Sequence, residues 1–483
     1  MKQGILSRDI EETHNTGTSM DKKILIITYH FPPSSAIGGL RAANFSKYLP
    51  SSGWTPHVLT VQDRFAEGID KERAKDVKST NIIKTRKLLS LGDVYLSIKK
   101  SCYGILKKDF PAEAPRPETD GPSLEEGGAS GERLPQRLKR YFLSLLTLPD
   151  ADRGWIVPVT YRAIREIKKK NIDCMLTSCP PYSVHVAGIL VKMMTGVKWV
   201  ADFRDPWMAA GPKKVFPTCS LSNKIDSWLE KNVIKKADLV LFNVDRMRDV
   251  YKNAYATQPA EKFVCIPNGI DHRTFSNIRT SKKYEQFTLS YTGSLYVDRS
   301  PEPIFQALSR LLCEKKISLN EVRVKLIGQC RHVGHRPIAS MINEYGLQSV
   351  VDVLDPVPYK NALEIIRQSH VALLFAPNQP YQVPAKVYDY LGAKVKILAI
   401  AEPGATSDFI NAAGCGEVFS TSDIEGIKEF IIQAMHNGST AEENYSAILS
   451  HYDAKRLTKS LSDNLNKLID KNSHERKNKP YSP

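Results

Sequence analysis

Short apolar runs alternate with amphipathic segments along most of this chain. The first run, residues 23–28, contains four consecutive apolar side chains, which is typical of a strand buried in a parallel sheet. In residues 40–52 apolar side chains recur at helical spacing, and Gly53 follows where many helices end. Residues 57–61 predict a second strand. We therefore predict that a strand, a loop, a helix and a strand open a doubly wound domain.

The same alternation returns in the second half of the chain. Predicted strands cover residues 287–292, 322–327, 350–354, 371–375 and 396–401, and predicted helices cover residues 301–315, 358–369 and 384–393. Strands and helices that alternate on both sides of a polar stretch indicate an α/β protein. We predict two Rossmann-like domains, each with a doubly wound parallel sheet.

These patterns divide the chain into four parts. Residues 1–20 are polar and predict a disordered N-terminal extension, and residues 21–275 form the first Rossmann-like domain. Residues 276–452 form the second domain. Residues 453–483 predict a helix that packs back on the first domain, followed by a basic tail. Within the first domain, residues 109–133 are rich in Pro, Glu, Gly and Ser and predict a flexible insertion.

Composition adds a large positive charge to this picture. The chain has 483 residues and a formal net charge of +16, which suggests an anionic partner. The basic residues are not interleaved with aromatic side chains in one block, so we expect no nucleic acid partner. Segments 94–108 and 134–148 are basic and amphipathic and could lie on an anionic membrane. The alternative is that their apolar faces pack on the domain.

Cysteine usage and apolar run length point to a location in the cytoplasm. None of the eight cysteines forms a C-x-x-C pair, so a structural zinc site or a redox dithiol lacks support. The apolar runs are far shorter than a membrane span. We therefore expect a cytoplasmic protein, with the inner face of the plasma membrane as the site of any peripheral contact.

Two constellations in the first half are candidates for ligand contact. Gly38 and Gly39 stand between the first strand and the first helix, where backbone N–H groups and the helix dipole favour a phosphate. A simple turn is the alternative. Arg204 and Asp205 follow a buried strand, at the edge where open α/β sheets bind ligands. A local ion pair that caps the next helix is the alternative there.

Paired carboxylates in the same half could bind a metal. Asp202 with Asp205, and Asp150 with Asp152, have spacings that would allow Mg²⁺ ligation together with substrate phosphates. We expect no metal site, and we expect Asp150 and Asp152 to cap the turn before Trp155.

The second half offers a candidate phosphate site. Gly293 and Ser294 follow a predicted strand and lead to Arg299, whose guanidinium matches phosphate oxygens. Lys386 and Asp389 lie one turn apart at the start of a predicted helix, so they could meet a phosphate and the hydroxyls of a ribose. The alternatives are an arginine at an ordinary helix start and a surface ion pair.

Taken in order, these blocks resemble those of the GT-B glycosyltransferases, specifically the retaining family four. The resemblance rests on Gly38-Gly39, 201–207 (Ala-Asp-Phe-Arg-Asp-Pro-Trp), 266–271 (Ile-Pro-Asn-Gly-Ile-Asp), 291–294 (Tyr-Thr-Gly-Ser) and 384–391. It covers residues 23–470 in architecture. It implies two domains that face each other across a cleft, the first binding the acceptor and the second binding the donor.

The family implies a metal-independent hexosyltransferase that uses a nucleotide-diphosphate sugar as donor substrate, with retention and with no further cofactor. Arg299 and Lys386 would hold the diphosphate and Asp389 the ribose. Asn268 and Gly269 would lie at the hinge below the sugar site. The full set of expected donor contacts is Gly38, Gly39, Asn268, Gly269, Gly293, Ser294, Arg299, Lys386, Tyr388, Asp389 and Glu402.

Two departures from the family pattern bear on catalysis. The family has two glutamates eight positions apart, whereas this chain has Tyr381 and Asp389 there, so Glu402 is expected to help hold the donor sugar. The histidine that the family has after the fourth strand of the first domain is also replaced. The predicted catalytic residues are Arg204 in its place, Asp205 beside it and His185 as an alternative polar contact.

The expected acceptor is a cell-envelope glycan, a polysaccharide or a lipid-linked glycan. Two other functions stay open. A sugar-nucleotide epimerase of GT-B fold would need acid and base carboxylates around the sugar, which residues 202–205 could supply. A non-catalytic scaffold is suggested by the missing glutamate and histidine, although a scaffold need not keep a phosphate clamp.

Overall fold

Two parallel sheets of seven and six strands organise the chain in a computed structural model. The structure describes residues 22–66, 68–89, 141–142, 144–210, 219–276, 278, 282–437 and 442–477. Several expectations concern other residues: the extension 1–20, the insertion 109–133, the basic segment 94–108, most of segment 134–148 and the end of the tail all lie outside the described residues.

The first sheet contains β1 (Lys22–Thr28), β2 (Trp54–Val61), β3 (Asn81–Thr85), β4 (Cys174–Cys179), β5 (Lys198–Phe203), β6 (Leu239–Phe242) and β7 (Phe263–Cys265). All pairs are parallel, and the order is β3-β2-β1-β4-β5-β6-β7. The strand order reverses between β1 and β4. In open parallel sheets a ligand crevice lies outside the carboxyl ends of the strands at such a point.

The helices of the first half are α1 (Leu40–Tyr48), α2 (Lys71–Lys75), α3 (Ile156–Lys170), α4 (Ser183–Thr195), α5 (Ser220–Lys236), α6 (Asp245–Ala254) and α7 (His272–Ser276). Val159 of α3, Ala187 of α4 and Val233 of α5 share one apolar cluster with sheet residues. Phe45 of α1 belongs to a separate cluster with Ile24. Helices α3, α4 and α5 therefore lie on one face and α1 on the other.

The second sheet contains β8 (Phe287–Thr292), β9 (Val322–Ile327), β12 (Val351–Leu354), β13 (Val371–Phe375), β14 (Lys396–Ile400) and β15 (Gly416–Phe419). A small antiparallel hairpin consists of β10 (His332–Val333) and β11 (Arg336–Pro337). The order of the sheet is β12-β9-β8-β13-β14-β15. Its reversal lies between β8 and β13, so the two sheets repeat one topology.

Helices of the second half are α8 (Glu302–Cys313), α9 (Ile338–Glu344), α10 (Tyr359–Gln368), α11 (Ala385–Gly392), α12 (Ala405–Ala413), α13 (Ile424–Asn437) and α14 (Glu442–His451). The last helix, α15 (Ala454–Lys477), returns to the first sheet. Its Leu461 and Leu465 are fully buried beside Ile24. Asn466 accepts hydrogen bonds from Lys22 at 2.8 Å and from the Trp54 indole at 3.2 Å.

The predicted α/β fold class is confirmed. Predicted strands 287–292, 322–327 and 371–375 coincide with β8, β9 and β13. The prediction missed β15, because this edge strand is only partly buried and has no continuous apolar run. Among the described residues, no helix combines the length and the apolar character that crossing a membrane requires.

Candidate active site

The predicted site residues lie at the carboxyl ends of strands in both sheets. In the first sheet, residues 38–39 follow β1 and residues 204–205 follow β5. In the second sheet, residues 293–294 follow β8, and residues 386–389 lie on α11 after β13. Each set lies at or beside the reversal of strand order in its sheet, where doubly wound sheets bind ligands.

Arg204 holds the glycine loop of the first sheet. Its guanidinium donates hydrogen bonds to the Gly38 carbonyl, to the Cys179 carbonyl at 2.9 Å and to the Pro180 carbonyl at 2.6 Å. A Cβ at Gly38 would lie 2.5 Å from Nη1 of Arg204, so glycine lets the guanidinium approach. Arg204 thus has a positioning role in this geometry, and its predicted catalytic role stays a prediction.

Gly39 contributes less to a phosphate site than we predicted. Its backbone N–H donates to the Ala36 carbonyl at 3.1 Å, so that group is already engaged inside the loop. A Cβ at Gly39 would lie 3.2 Å from the backbone of His30 and of Phe31. Close packing of the loop against the end of β1 therefore explains this glycine.

A buried ion pair lies beneath the same loop. Arg41 donates from Nε to both oxygens of Asp202 at 3.1 Å and from Nη2 to Oδ1 at 2.9 Å. Ser178 donates to Oδ2 at 2.7 Å, and Arg41 also donates to the Pro267 carbonyl at 2.9 Å. Both charged side chains are buried. Removing one partner would leave the other as an uncompensated buried charge.

The carboxylates that we considered as metal ligands have protein partners. Asp202 is held by the arginine and the serine just described. Asp150 accepts hydrogen bonds from the backbone N–H and the hydroxyl of Ser183 at 2.7 and 2.6 Å, and from the Asp152 backbone at 2.9 Å. Asp150 therefore fixes the first turn of α4 as well as the turn before Trp155. The described residues contain no group of three His, Cys, Asp or Glu side chains placed to hold a metal ion.

His185 lies in the core, which corrects its prediction as a catalytic contact. It has no exposed surface, and its Nδ1 is 2.8 Å from Thr177 Oγ1, which accepts a hydrogen bond from the Trp199 indole. Burial lowers the pKa of His185 to about 3, which keeps the ring neutral. His185 is on the side of α4 that faces the sheet.

Gly293 and Lys386 come together at the strand reversal of the second sheet. Gly293 has a φ of 133°, and a Cβ there would lie 2.7 Å from Lys386 Nζ. The ammonium lies 4.1 Å from the centre of the Tyr291 ring, and Tyr291 donates to the Ser294 carbonyl at 2.7 Å. A cation therefore rests against a glycine loop at the end of a strand, an arrangement that suits a phosphate group.

Arg299 borders a second aromatic ring, that of Tyr296, close to the same loop. Its guanidinium carbon lies 5.3 Å from the centre of the Tyr296 ring. Burial raises the pKa of Tyr291, and the positive charge of Arg299 acts against that rise. Both cations that we predicted for the diphosphate thus lie around Tyr291.

Asp389 is held by Tyr359 one turn after Lys386. The Tyr359 hydroxyl donates to Asp389 Oδ1 at 2.5 Å. Burial of the carboxylate raises the pKa of Asp389 to about 6, and the hydrogen bond from Tyr359 and the charges of Arg73 and Lys386 act in the opposite direction. Asp389 is therefore mostly ionised at neutral pH, when its second oxygen can accept hydrogen bonds from a ribose.

Two contacts join the halves of the chain at this site. Arg73 of α2 lies with its guanidinium carbon 4.4 Å from the centre of the Tyr359 ring, and it donates to the Ser35 carbonyl at 2.6 Å. Gln382 donates to Asp205 Oδ1 at 2.7 Å. The predicted catalytic Asp205 therefore lies beside the loop that precedes α11.

Asn268 and Gly269 lie where the chain crosses between the halves. The neighbouring Ile270 donates to the Tyr452 carbonyl at 2.7 Å and accepts from the Ala454 backbone at 3.0 Å. A Cβ at Gly269 would lie 2.8 Å from Cα of Ala454. The Asn268 side chain accepts from Arg41 at 3.5 Å. This segment thus ties the first sheet to the start of α15, a position that suits a hinge.

Tyr388 and Glu402 stand apart from the cluster around Lys386. Tyr388 is buried, with ring centres 5.3 Å from Phe409 and 5.7 Å from Tyr452. Its prediction as a donor contact is corrected, because it packs on a different side of α11. Glu402 is exposed after β14. The loop of Glu402 borders the loop before α11, since a Cβ at Gly404 would lie 2.8 Å from Cα of Pro380.

Sequence reasoning missed Arg41, Arg73 and Tyr359. Arg41 lies two residues after Gly39, and that position beside a candidate site could have drawn attention to it. Arg73 and Tyr359 carry no comparable signal, because they meet only when the two halves of the chain pack together.

Comparisons with known proteins agree with the two-sheet fold. Residues 117–274 match the family described as Glycosyltransferase Family 4. HepE of Anabaena, solved in complex with UDP, is similar over 92% of this chain and 100% of its own, with 12% identity and a TM-score of 0.59. A glycosyltransferase from Rickettsia africae ESF-5 covers 93% and 99% of the two chains, at 13% identity and a TM-score of 0.57.

A third similar structure is WaaG, a glycosyltransferase involved in lipopolysaccharide biosynthesis, which covers 92% of this chain and 99% of its own. Its identity is 14% and its TM-score 0.54. No curated protein matched this chain in sequence. The solved structures share the two-sheet architecture over nearly the whole chain, and the family match falls on the first half. The chain is therefore a protein of GT-B fold whose residues 117–274 are similar to glycosyltransferase family 4.

Proposed function

We propose that the protein is a hexosyltransferase that takes its sugar from a nucleotide-diphosphate sugar, with retention and without a metal. The observation that carries the proposal is the approach of Lys386 Nζ to the Gly293 loop, with Asp389 one turn along the same helix. The family 4 match supports glycosyl transfer. The similar HepE structures contain UDP or UDP-glucose, which makes uridine nucleotides the first donors to test.

The diphosphate of the donor would lie between the Gly293 loop, Lys386 and Arg299. Negative charge builds on the leaving diphosphate as its bond to the sugar breaks, and cations held in place beforehand stabilise that charge. Two side-chain cations can supply this stabilisation in the role that a metal plays elsewhere. Asp389 would accept hydrogen bonds from the ribose and so fix the nucleoside end.

The first sheet would complete the cleft around the sugar. Arg204 holds the Gly38 carbonyl in place, and Asp205 reaches across to Gln382. Glu402, on the loop next to the one before α11, would help to hold the sugar. The acceptor would enter on this side, and we propose a cell-envelope glycan, a polysaccharide or a lipid-linked glycan, since the similar WaaG acts in lipopolysaccharide biosynthesis.

A donor screen tests this proposal. The purified protein is mixed with UDP-, GDP-, dTDP- and ADP-sugars, with and without EDTA, while thermal shift and nucleotide release are recorded. We expect stabilisation by one donor class, in EDTA as well as without it, and loss of that effect in Lys386→Ala. The matched control is Lys252→Ala, which removes an exposed lysine of α6. If no donor stabilises the protein, the proposal fails and a non-catalytic scaffold becomes the better account.

The same screen separates transfer from epimerisation. An epimerase converts the sugar of the donor while the nucleotide stays attached, whereas a transferase releases the nucleoside diphosphate. We propose a cytoplasmic location from the cysteine pattern and the short apolar runs. The membrane contact of segments 94–108 and 134–148 stays a prediction.

A further inference from the structure

Three neighbouring helices of the first half expose many large apolar side chains. Helices α3, α4 and α5 pack side by side over one face of the first sheet. The exposed apolar residues on them are Val157, Tyr161, Leu190, Met193, Met194, Leu221 and Trp228. We call this outer surface the α3–α5 face. In the second half, the large apolar side chains described as exposed are Val297, Leu319 and Leu354, and none of these is on a helix.

Charge on the α3–α5 face has a single sign. The acidic residues of the three helices are Glu166, Asp226 and Glu230, and all of them are buried. Asp226 accepts from the Trp207 indole at 3.1 Å, and Glu230 accepts from Tyr251 at 2.7 Å. The exposed charged residues of these helices are all basic: Arg165, Lys168, Lys169, Lys224, Lys231 and Lys235.

We infer that the α3–α5 face docks on an anionic membrane surface. An apolar face with a tryptophan and a tyrosine can enter the boundary between headgroups and acyl chains, and basic side chains around it are attracted to anionic lipids. Lysine and arginine also place their aliphatic stems along an apolar surface while their charges stay in water. A face without exposed acidic groups suits such a surface better than a protein partner of mixed charge.

The described end of the basic segment 134–148 continues this face. Ser144 donates to the Cys219 thiol at 3.0 Å, which places residues 144–148 beside the start of α5. Phe142 and Leu145 are exposed there.

Helices α3, α4 and α5 begin at the carboxyl edge of the sheet, so the face extends toward the cleft. If the proposed function holds, docking would bring the cleft close to a lipid-linked acceptor, although docking itself needs no donor.

Trp228 reports directly on this face. It is 62% exposed, whereas Trp54, Trp155, Trp199 and Trp207 are at most 1% exposed, and these are the five tryptophans of the chain. Vesicles of phosphatidylcholine with phosphatidylglycerol should therefore shift the emission of the exposed indole to shorter wavelength. Vesicles of phosphatidylcholine alone should leave the emission unchanged. Absence of a shift with the anionic vesicles would overturn the inference.

Charge inserted into the apolar part of the face provides the second test. Met193→Glu with Met194→Glu should weaken co-sedimentation with the anionic vesicles by about tenfold or more. The matched control is Leu319→Glu, an exposed apolar position in the second half, which should bind vesicles like the wild type. Unfolding temperature and thermal shift with donor should stay unchanged in all variants, which separates failure of docking from failure of the proposed function.

Two results of this second test would contradict membrane docking. One is vesicle binding by the double variant at the wild-type level. The other is a wild-type dimer, measured by light scattering without lipid, that dissociates in the double variant, because a second copy of the chain would then cover the face.

Discussion

The two walls of the cleft use charged residues in opposite ways. On the wall formed by the first sheet, Arg41, Asp202 and Arg204 are buried and bind one another or nearby backbone carbonyls. On the wall formed by the second sheet, Lys386 and Asp389 are partly exposed, and Lys386 lies against a glycine loop and an aromatic ring. Both walls lie at the strand reversal of their sheets.

This difference in burial suggests two roles, one in keeping the shape of the cleft and one in binding a ligand. A buried charge with its partner fixes the surrounding backbone and is costly to disturb. A partly exposed charge at a strand reversal can still meet a ligand, and perturbed ionisable groups cluster at functional sites. We therefore propose that the first wall holds the cleft in shape and that the second wall binds the donor.

Replacement of Arg41 should have the largest effect, and that effect is on stability. Arg41→Met leaves Asp202 buried without its cation, so the free energy of unfolding should fall by about 3–5 kcal/mol. The control is Lys75→Ala, which breaks the exposed pair with Glu72 and should change stability by about 0–1 kcal/mol. Urea unfolding followed by circular dichroism measures both. Equal stability of the two variants would contradict the role of the first wall.

Lys386→Ala should have the next largest effect, which is to weaken donor binding without changing stability. Loss of a hydrogen bond between charged groups should cost about 1.5–3 kcal/mol of donor binding, or about 10- to 100-fold in Kd. Urea unfolding should match the wild type, because Lys386 is partly exposed. A variant that loses stability but keeps donor affinity would reverse the assignment of the two walls.

Donor binding should also depend on the ionisation of Asp389. Because burial raises the pKa of Asp389 to about 6, the carboxylate gains a proton as pH falls through that value. Donor affinity should therefore be full above pH 7 and weaken by up to about tenfold at pH 5. Calorimetry with a nucleotide sugar measures this, since the terminal phosphate of a free nucleotide would itself titrate. In Asp389→Asn, donor affinity should no longer fall between pH 7 and pH 5.

The smallest effect is expected for Tyr359→Phe. One hydrogen bond is lost, so donor binding should weaken by about 0.5–1.5 kcal/mol. The hydrogen bond from Tyr359 lowers the pKa of Asp389. Without this hydrogen bond, the pH at which donor affinity falls should therefore be higher. Tyr345→Phe, which removes a hydroxyl bound to Glu302, serves as the control. An unchanged pH midpoint would show that Tyr359 does not orient Asp389.

The fold was predictable because buried parallel strands have continuous apolar runs. β1 and β13 carry such runs, β8 and β9 alternate apolar and polar residues as strands also do, and glycines mark the loops after β1 and β8. Lys386 and Asp389 could also be singled out, since their positions follow a strand and open a helix. In each case the signal lies within a few neighbouring residues of the chain.

The rest of the site depends on which residues meet across the fold. Arg73 and Tyr359 belong to different halves, so no local pattern joins them. His185 and Tyr388 lie on helices that begin at the site, but both side chains are buried elsewhere. Local spacing predicted the elements that carry these residues, whereas the side of each helix that packs was decided by tertiary contacts.

The central claim is that the second wall binds the nucleotide without a metal. The most direct test is calorimetric titration of the protein with UDP in the presence of EDTA. The account predicts binding by the wild type and by Lys252→Ala, and loss of binding by a Lys386→Ala variant that unfolds at the wild-type temperature. Binding that survives Lys386→Ala, or that appears only when a divalent metal is added, would contradict it.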